Sequence, residues 1–296
     1  MTVFSHVALG TRHSRYTAQY LPKPIRSMLL SLKKNERFQN QRWQAVILMS
    51  DLVGYTTVTS LLRDPALIFN LLNKYLESTT IMLQDKYDGW LEGYVGDLFC
   101  YYWPQMEGLT IKEQIEKSLH AAIELKKLQK EFFRNLPNLD LPIPREASEK
   151  IAEIVNAGIG ICSGEVVAGN VGPKGGVQKF GLLGDPLNLS SRLEALTRLF
   201  DTEIIISEEL APTAEELGYR VRKIASVKVK GRLDVTTLYA MGETDDSRFS
   251  DELVKKWEEF WNRLQQTGEV LPWNFEALRK DHETLVRWHK QGLYDP

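Results

Sequence analysis

The chain has 296 residues, 43% of them apolar, with 39 acidic and 37 basic side chains and a formal net charge of −2. That length buries a full core without metal or disulfide staples, and the balanced charge excludes a global electrostatic footprint for nucleic acid or an anionic membrane. Cys100 and Cys162 each sit in an apolar run, which predicts buried thiols in a reducing compartment rather than a disulfide framework. The N-terminus lacks the apolar core of a signal peptide, and no stretch approaches the roughly 20 apolar residues that span a bilayer, so a cytoplasmic protein with no membrane span is expected.

Residues 1–43 mix aromatic, basic and polar types around Pro22 and Pro24 and read as an N-terminal arm. From Gln44 the run AVILMSD suits a buried strand ending in an acid. Pro65 opens a helix with Leu67, Ile68, Leu71, Leu72, Tyr75 and Leu76 on one face. Two strands then bracket the turn at Gly96 and Asp97, and Ile115 to Phe133 forms a second amphipathic helix. The segment NLPNLDLPIPREAS reads as a proline-rich loop. Val155 to Ile161 is a strand leading into the glycine-punctuated SGEVVAGNVGPKGG, followed by a short strand and a helix carrying LNLSSRLEAL. Strand-like runs EIIIS, VKVKG and TTLYA complete a domain over 44–242. The order β-α-β-β-α-β-β-α-β-β predicts an α/β sandwich of the ferredoxin-like kind, a mixed sheet covered by helices. Two charged amphipathic helices anchored by Trp257, Phe260, Trp261 and Trp288 form a C-terminal extension over 243–296. They cover the domain, contact a partner, or both.

Three segments carry chemistry. In LMSDLVGYTT, Asp51 ends a buried strand before a glycine turn. A carboxylate there can hold a divalent cation, and the turn's backbone N–H groups can cradle phosphate; the plain alternative is a helix cap. In GYVGDLF, Asp97 occupies a hairpin turn, by itself an ordinary place for an acid. Paired with Asp51, it supplies the second carboxylate of a site for two hard cations. In the third segment Asn188 and Arg192 stand four residues apart on a helix and project from one face. An amide that orients a ribose and a guanidinium that neutralises phosphate charge suit phosphoryl transfer; read plainly, they are a cap and a solvated side chain.

Together these segments resemble the catalytic domain of class III adenylate and guanylate cyclases, from about Val46 to Ala240. The resemblance implies closure of a nucleoside triphosphate to a 3′,5′-cyclic monophosphate with release of pyrophosphate. It assigns two divalent cations, Mn2+ or Mg2+, to Asp51 and Asp97 with Leu52, and phosphate contacts to the backbone of Leu52, Val53, Gly54, Tyr55 and Thr56. It gives Asn188 and Arg192 to the ribose and the transition state, and Lys230 in VKVKGRLD to the triphosphate as a point charge. It further implies a homodimer with two composite active sites, the aspartates from one subunit and Asn188, Arg192 and Lys230 from the other. All five histidines lie outside the motifs, so no histidine base is expected.

Departures occur where the family reads its base. The two purine-gripping positions are Gly93 and Gly181, neither with a side chain to offer, and Glu92 should point to the opposite strand face. Backbone around Gly181 and Leu182 is the alternative reader of a purine. With Tyr55 in place of the usual phenylalanine, the chain resembles the bacterial pyrimidine cyclases of antiphage defence. Those glycines, that tyrosine and a free-standing domain imply UTP ahead of CTP as substrate and a separate effector that reads the product. The competing readings are an adenylate or guanylate cyclase, an inactive nucleotide-binding homologue, and a diguanylate cyclase. The last lacks its GGDEF or GGEEF signature here.

Overall fold

The structure of the chain, a computed structural model, describes residues 23–31, 38–173, 176–228 and 235–291. The chain divides into a larger unit, residues 43–166 and 184–296, and a smaller one, residues 1–42 and 167–183.

In chain order, helix α1 (Lys23–Ser31) precedes strand β1 (Gln41–Val53), helices α2 (Tyr55–Leu62) and α3 (Pro65–Thr80), and a π-turn at Ile81–Lys86. Hairpin strands β2 (Trp90–Val95) and β3 (Leu98–Pro104) lead to helices α4 (Ile111–Arg134) and α5 (Arg145–Ile154). Strands β4 (Asn156–Val171) and β5 (Lys179–Leu183) are followed by helix α6 (Asp185–Leu196), strand β6 (Ile204–Ser207) and helix α7 (Ala211–Glu216). Strands β7 (Arg220–Lys228) and β8 (Val235–Gly242) precede the closing helices α8 (Asp251–Thr267) and α9 (Arg279–Lys290).

The sheet of the larger unit has the order β2-β3-β1-β4-β6-β8-β7. It is mixed: β4 runs parallel to β6, whereas the β1–β3, β2–β3, β6–β8 and β7–β8 pairs are antiparallel. This is the helix-covered mixed sheet that the element order predicts. Alternation along β1 separates two faces. Val46, Leu48 and Leu52 join Phe99, Tyr101, Trp103, Ile159, Ile161, Ile204 and Ile206 in the core shared with Leu71, Tyr75 and Leu119 of α3 and α4. Those helices start where local chemistry tells them to. The Asp64 side chain accepts from Ala66 N at 2.8 Å ahead of Pro65, and Thr110 and Glu113 form a capping box at α4.

The opposite face carries Ala45, Ile47, Met49 and Asp51, and there α6 rests on β4 through glycines two and four residues apart. A Cβ at Gly160 would stand 2.2 Å from Ser190 O, and one at Gly164 would stand 2.7 Å from Pro186 Cγ. Any side chain at Gly160 would lift the helix, an overpacking that costs about 1–3 kcal/mol.

Two sequence expectations are corrected. The loop expected through PREAS instead contains the start of α5, whose residues Ser148 and Ile151 are buried one turn apart; the three prolines precede the helix rather than break it. Glu92 does not point away from Gly93. The β2–β3 register pairs Leu91 with Tyr101 and Gly93 with Cys100, so Glu92 is the extra residue of a β-bulge. A bulge sets two consecutive residues against one partner and cancels the alternation. Glu92 therefore shares the face of Gly93 and Cys100, close enough to Tyr102 for its charge, after burial itself, to push that phenol's pKa up. Cys100 pairs with Met49, which puts Glu92 on the sheet face of Asp51.

The C-terminal helices cover the β7 end of the sheet. Trp257 Nε1 donates to Lys223 O at 2.5 Å, and Trp288 meets Phe200 edge-on at 5.6 Å. Arg222 of β7, fully buried, donates from Nη2 to Asp281 Oδ2 of α9 at 2.7 Å. Its guanidinium lies 4.9 Å from the Trp257 ring centroid and 5.9 Å from that of Phe249.

In the smaller unit, β4 residues 167–171 pair with β5, setting Gly169 opposite Gly181 and Ala168 opposite Leu182. Phe38 packs edge-on against Phe180 at 5.2 Å, and Gly169 makes room for the Asn40 side chain.

Candidate active site

Asp51 lies two residues before the end of β1, on the face where α6 sits. Asp97 occupies the β2–β3 turn, which Gly96 enters with φ +66°. The register that pairs Met49 with Cys100 and Ser50 with Phe99 brings the end of β1 beside that turn. Leu52 N then donates to Asp97 Oδ2 at 3.3 Å. Burial, followed by the hydrogen bond and charge of Asp51, holds the Asp97 carboxyl well above the usual carboxylate range. Two acids within hydrogen-bonding reach resist ionising together unless positive charge joins them. Their hard oxygen donors fit a divalent cation. Among the described residues no group of three or more His, Cys, Asp or Glu side chains is arranged to hold a metal. The two carboxylates suit a small hard cation that keeps waters and takes its remaining ligands from substrate phosphates. Leu52 has a hydrocarbon side chain and is buried, so its only possible ligand atom is the backbone carbonyl oxygen.

Behind the acids the chain turns at Gly54, with φ +95°. A Cβ there would sit 2.7 Å from Ile154 O, the last residue of α5. Glycine is required on both counts. Gly54 O accepts from Thr57 N and Val58 N at 2.9 and 3.1 Å. The N–H groups of Tyr55 and Thr56 thus precede the first intrahelical bonds of α2, the position at which a helix receives phosphate. Tyr55 is half-buried there; burial and then the charge of Asp97 push its phenol up.

Asn188 and Arg192 both lie on α6, Asn188 exposed and Arg192 half-buried. The residue of this segment that reaches Asp51 within the chain is Arg198, in the turn after α6. Arg198 Nη2 is 2.5 Å from Asp51 Oδ2 and 3.0 Å from Glu194 Oε1. Asn188 lies ten residues, about 15 Å of helical rise, before Arg198. Glu194 is 3% exposed. Burial pushes its carboxyl up to about 7, with Asp51 adding to the rise and Arg198 opposing it. Its place is fixed by Gly158, where a Cβ would stand 2.6 Å from Glu194 Oε1. Glu194 and Arg198 belong to no motif that the sequence displays. Their i, i+4 spacing was a signal, but an ordinary one for a surface helix.

Gly93 is half-buried in β2 and Gly181 buried in β5. Lys230 lies outside the described residues. Cys100 and Cys162 are both buried thiols rather than a disulfide, and no helix among the described residues is long and apolar enough to cross a membrane.

A family model described as the adenylate and guanylate cyclase catalytic domain matches residues 38–242. An adenylate cyclase of Anabaena cylindrica is 30% identical over 197 residues, covering 65% of this chain and 36% of its own length. A terminal-differentiation-specific adenylate cyclase of Dictyostelium discoideum is 27% identical over 219 residues, covering 71% of this chain and 9% of its own length. The chain thus spans about a third or less of these relatives. Among solved structures, the adenylyl cyclase CyaB from P. aeruginosa matches with a TM-score of 0.58 at 23% identity, over 71% of this chain and 98% of that one. The guanylyl cyclase Cya2 matches with a TM-score of 0.53 at 24% identity, over 72% and 99%. These structures share the fold, and the family model covers more than half of the chain, so this chain belongs to the adenylate and guanylate cyclase catalytic domain family.

Proposed function

We propose that the protein is a nucleotidyl cyclase that converts UTP to 3′,5′-cyclic UMP and pyrophosphate in the cytoplasm, a signal for antiviral defence read by a separate effector. The observation that carries the cyclase reading is the Asp51–Asp97 carboxylate pair set against the Gly54 turn. Two divalent cations, Mn2+ or Mg2+, held by Asp51, Asp97 and the Leu52 backbone, would supply the charge that acidifies the ribose 3′-hydroxyl and binds triphosphate oxygens. The chain's own groups do the rest. N–H groups of the Gly54 turn, those of Tyr55 and Thr56 among them, orient the phosphates. Arg192 and Lys230 neutralise charge as the O3′–Pα bond forms and the bond to pyrophosphate breaks, and Asn188 holds the ribose. The exposure of Asn188, and its distance along α6 from the turn that reaches Asp51, support a homodimer in which these residues serve the aspartates of the partner subunit.

The base assignment rests on Gly93, Gly181 and Tyr55, and Glu92 adds to it. A carboxylate on this face accepts a hydrogen bond from the imide N–H of uracil and meets a lone pair at the matching nitrogen of cytosine. That favours UTP over CTP. Guanine offers the same N–H, which makes GTP the second reading; the glycines and the partly buried Tyr55 favour the single ring.

Competition among ATP, GTP, CTP and UTP at equal concentration, with chromatographic separation of the cyclic products, tests the assignment. Cyclic UMP is expected to dominate, and Glu92→Gln should narrow the UTP to CTP preference by about tenfold. A clear preference for ATP or GTP would refute the pyrimidine reading and leave the cyclisation chemistry standing.

A further inference from the structure

The guanidinium of Arg198 is shared between two carboxylates of different standing. Glu194 is buried against β4, fixed by Gly158, with Thr197 Oγ1 donating to its backbone carbonyl at 2.6 Å. Arg198 Nη1 donates to Glu194 Oε2 at 3.3 Å, and Nη2 donates to Asp51 Oδ2 at 2.5 Å. The Asp51 side chain is 21% exposed and that of Arg198 37%, so the second contact sits at the solvent side and can open while the first holds. A divalent cation and this guanidinium both need the Asp51 carboxylate, and like charges at such range repel.

We propose that Arg198 is a positioning residue, an internal counter-ion that occupies Asp51 when no metal is bound. It makes the site a poor ligand for free divalent cation and favours entry of the cation together with the triphosphate, whose negative charge offsets the repulsion. Glu194 is the tether to which Arg198 withdraws when Asp51 is taken. This rests on the assignment of Asp51 as a metal ligand.

The test is Mn2+ binding to the full chain without nucleotide, followed by the electron paramagnetic resonance signal of free Mn2+. Arg198→Gln, which removes the charge and keeps most of the side-chain length, is expected to bind Mn2+ about tenfold more tightly than the parent. Arg198→Lys, which keeps the charge, should stay within about threefold of the parent. The gain in Arg198→Gln should vanish when Asp51→Asn is added. Affinity unchanged or weakened in Arg198→Gln, in protein with the parent's circular dichroism, would overturn the counter-ion role. If Arg198→Gln does not fold, equally weak binding by Arg198→Ala and the parent overturns it instead. Asp51→Asn alone separates the two levels: if it leaves Mn2+ binding intact, the metal assignment fails and the proposal with it. If it abolishes binding while Arg198→Gln matches the parent, only the proposal fails.

Discussion

Asp51→Asn and Asp97→Asn are each expected to lower turnover by about a thousandfold or more while leaving the fold intact, since each removes charge stabilisation made chiefly in the transition state. Neither side chain belongs to the apolar core: Asp51 faces α6 at the end of β1, and Asp97 sits in a turn. Burial and the neighbouring Asp51 already penalise the charged form of Asp97, so a neutral amide there costs the fold little. Melting temperatures within a few degrees of the parent are therefore expected, alongside rates near background. Cyclisation within tenfold of the parent by either variant, with unaltered metal dependence, would remove the two-metal assignment.

The largest expected effect on stability lies elsewhere. Asp281→Ala should destabilise the protein by about 3–5 kcal/mol, because it leaves Arg222 buried without its counter-charge. Both side chains are fully buried, and Arg222 Nε and Nη1 find no acceptor among the described residues. Asp281 also accepts from Asp201 N, so its loss strips a backbone donor as well. By contrast, Lys112→Ala at the exposed pair with Glu216 should leave stability nearly unchanged, because solvent screens the pair. Denaturant unfolding of both variants checks the contrast. Equal small effects would show that α9 is not fastened to the sheet through this pair.

What the sequence revealed and what it hid follow from the range of the interactions. Asp51, Gly54 and Asp97 were legible because strand ends and glycine turns are local patterns, and the structure brings both acids together. The covering helices were legible from apolar periodicity. Helix α5 was hidden by Pro142 and Pro144 just before it, although Pro144 ends outside the helix and starts it cleanly. The bulge at Glu92 was hidden because one inserted residue leaves no compositional trace; only the pairing with β3 shows it. Arg198 was hidden because its role depends on a contact 147 positions away. Likewise, nothing local distinguishes Arg222, whose buried partner lies 59 positions on.

The proposed active site is composite, with aspartates from one chain and Asn188 and Arg192 from another. It is tested most directly by co-refolding Asp51→Asn with Arg192→Ala, each inactive by itself, and assaying 3′,5′-cyclic nucleotide formation in a fraction shown by differential tags to be heterodimer. One of the two sites in that heterodimer holds every functional residue, so activity up to about half that of the parent per dimer is expected. A heterodimer as inactive as either variant would rule out the shared site.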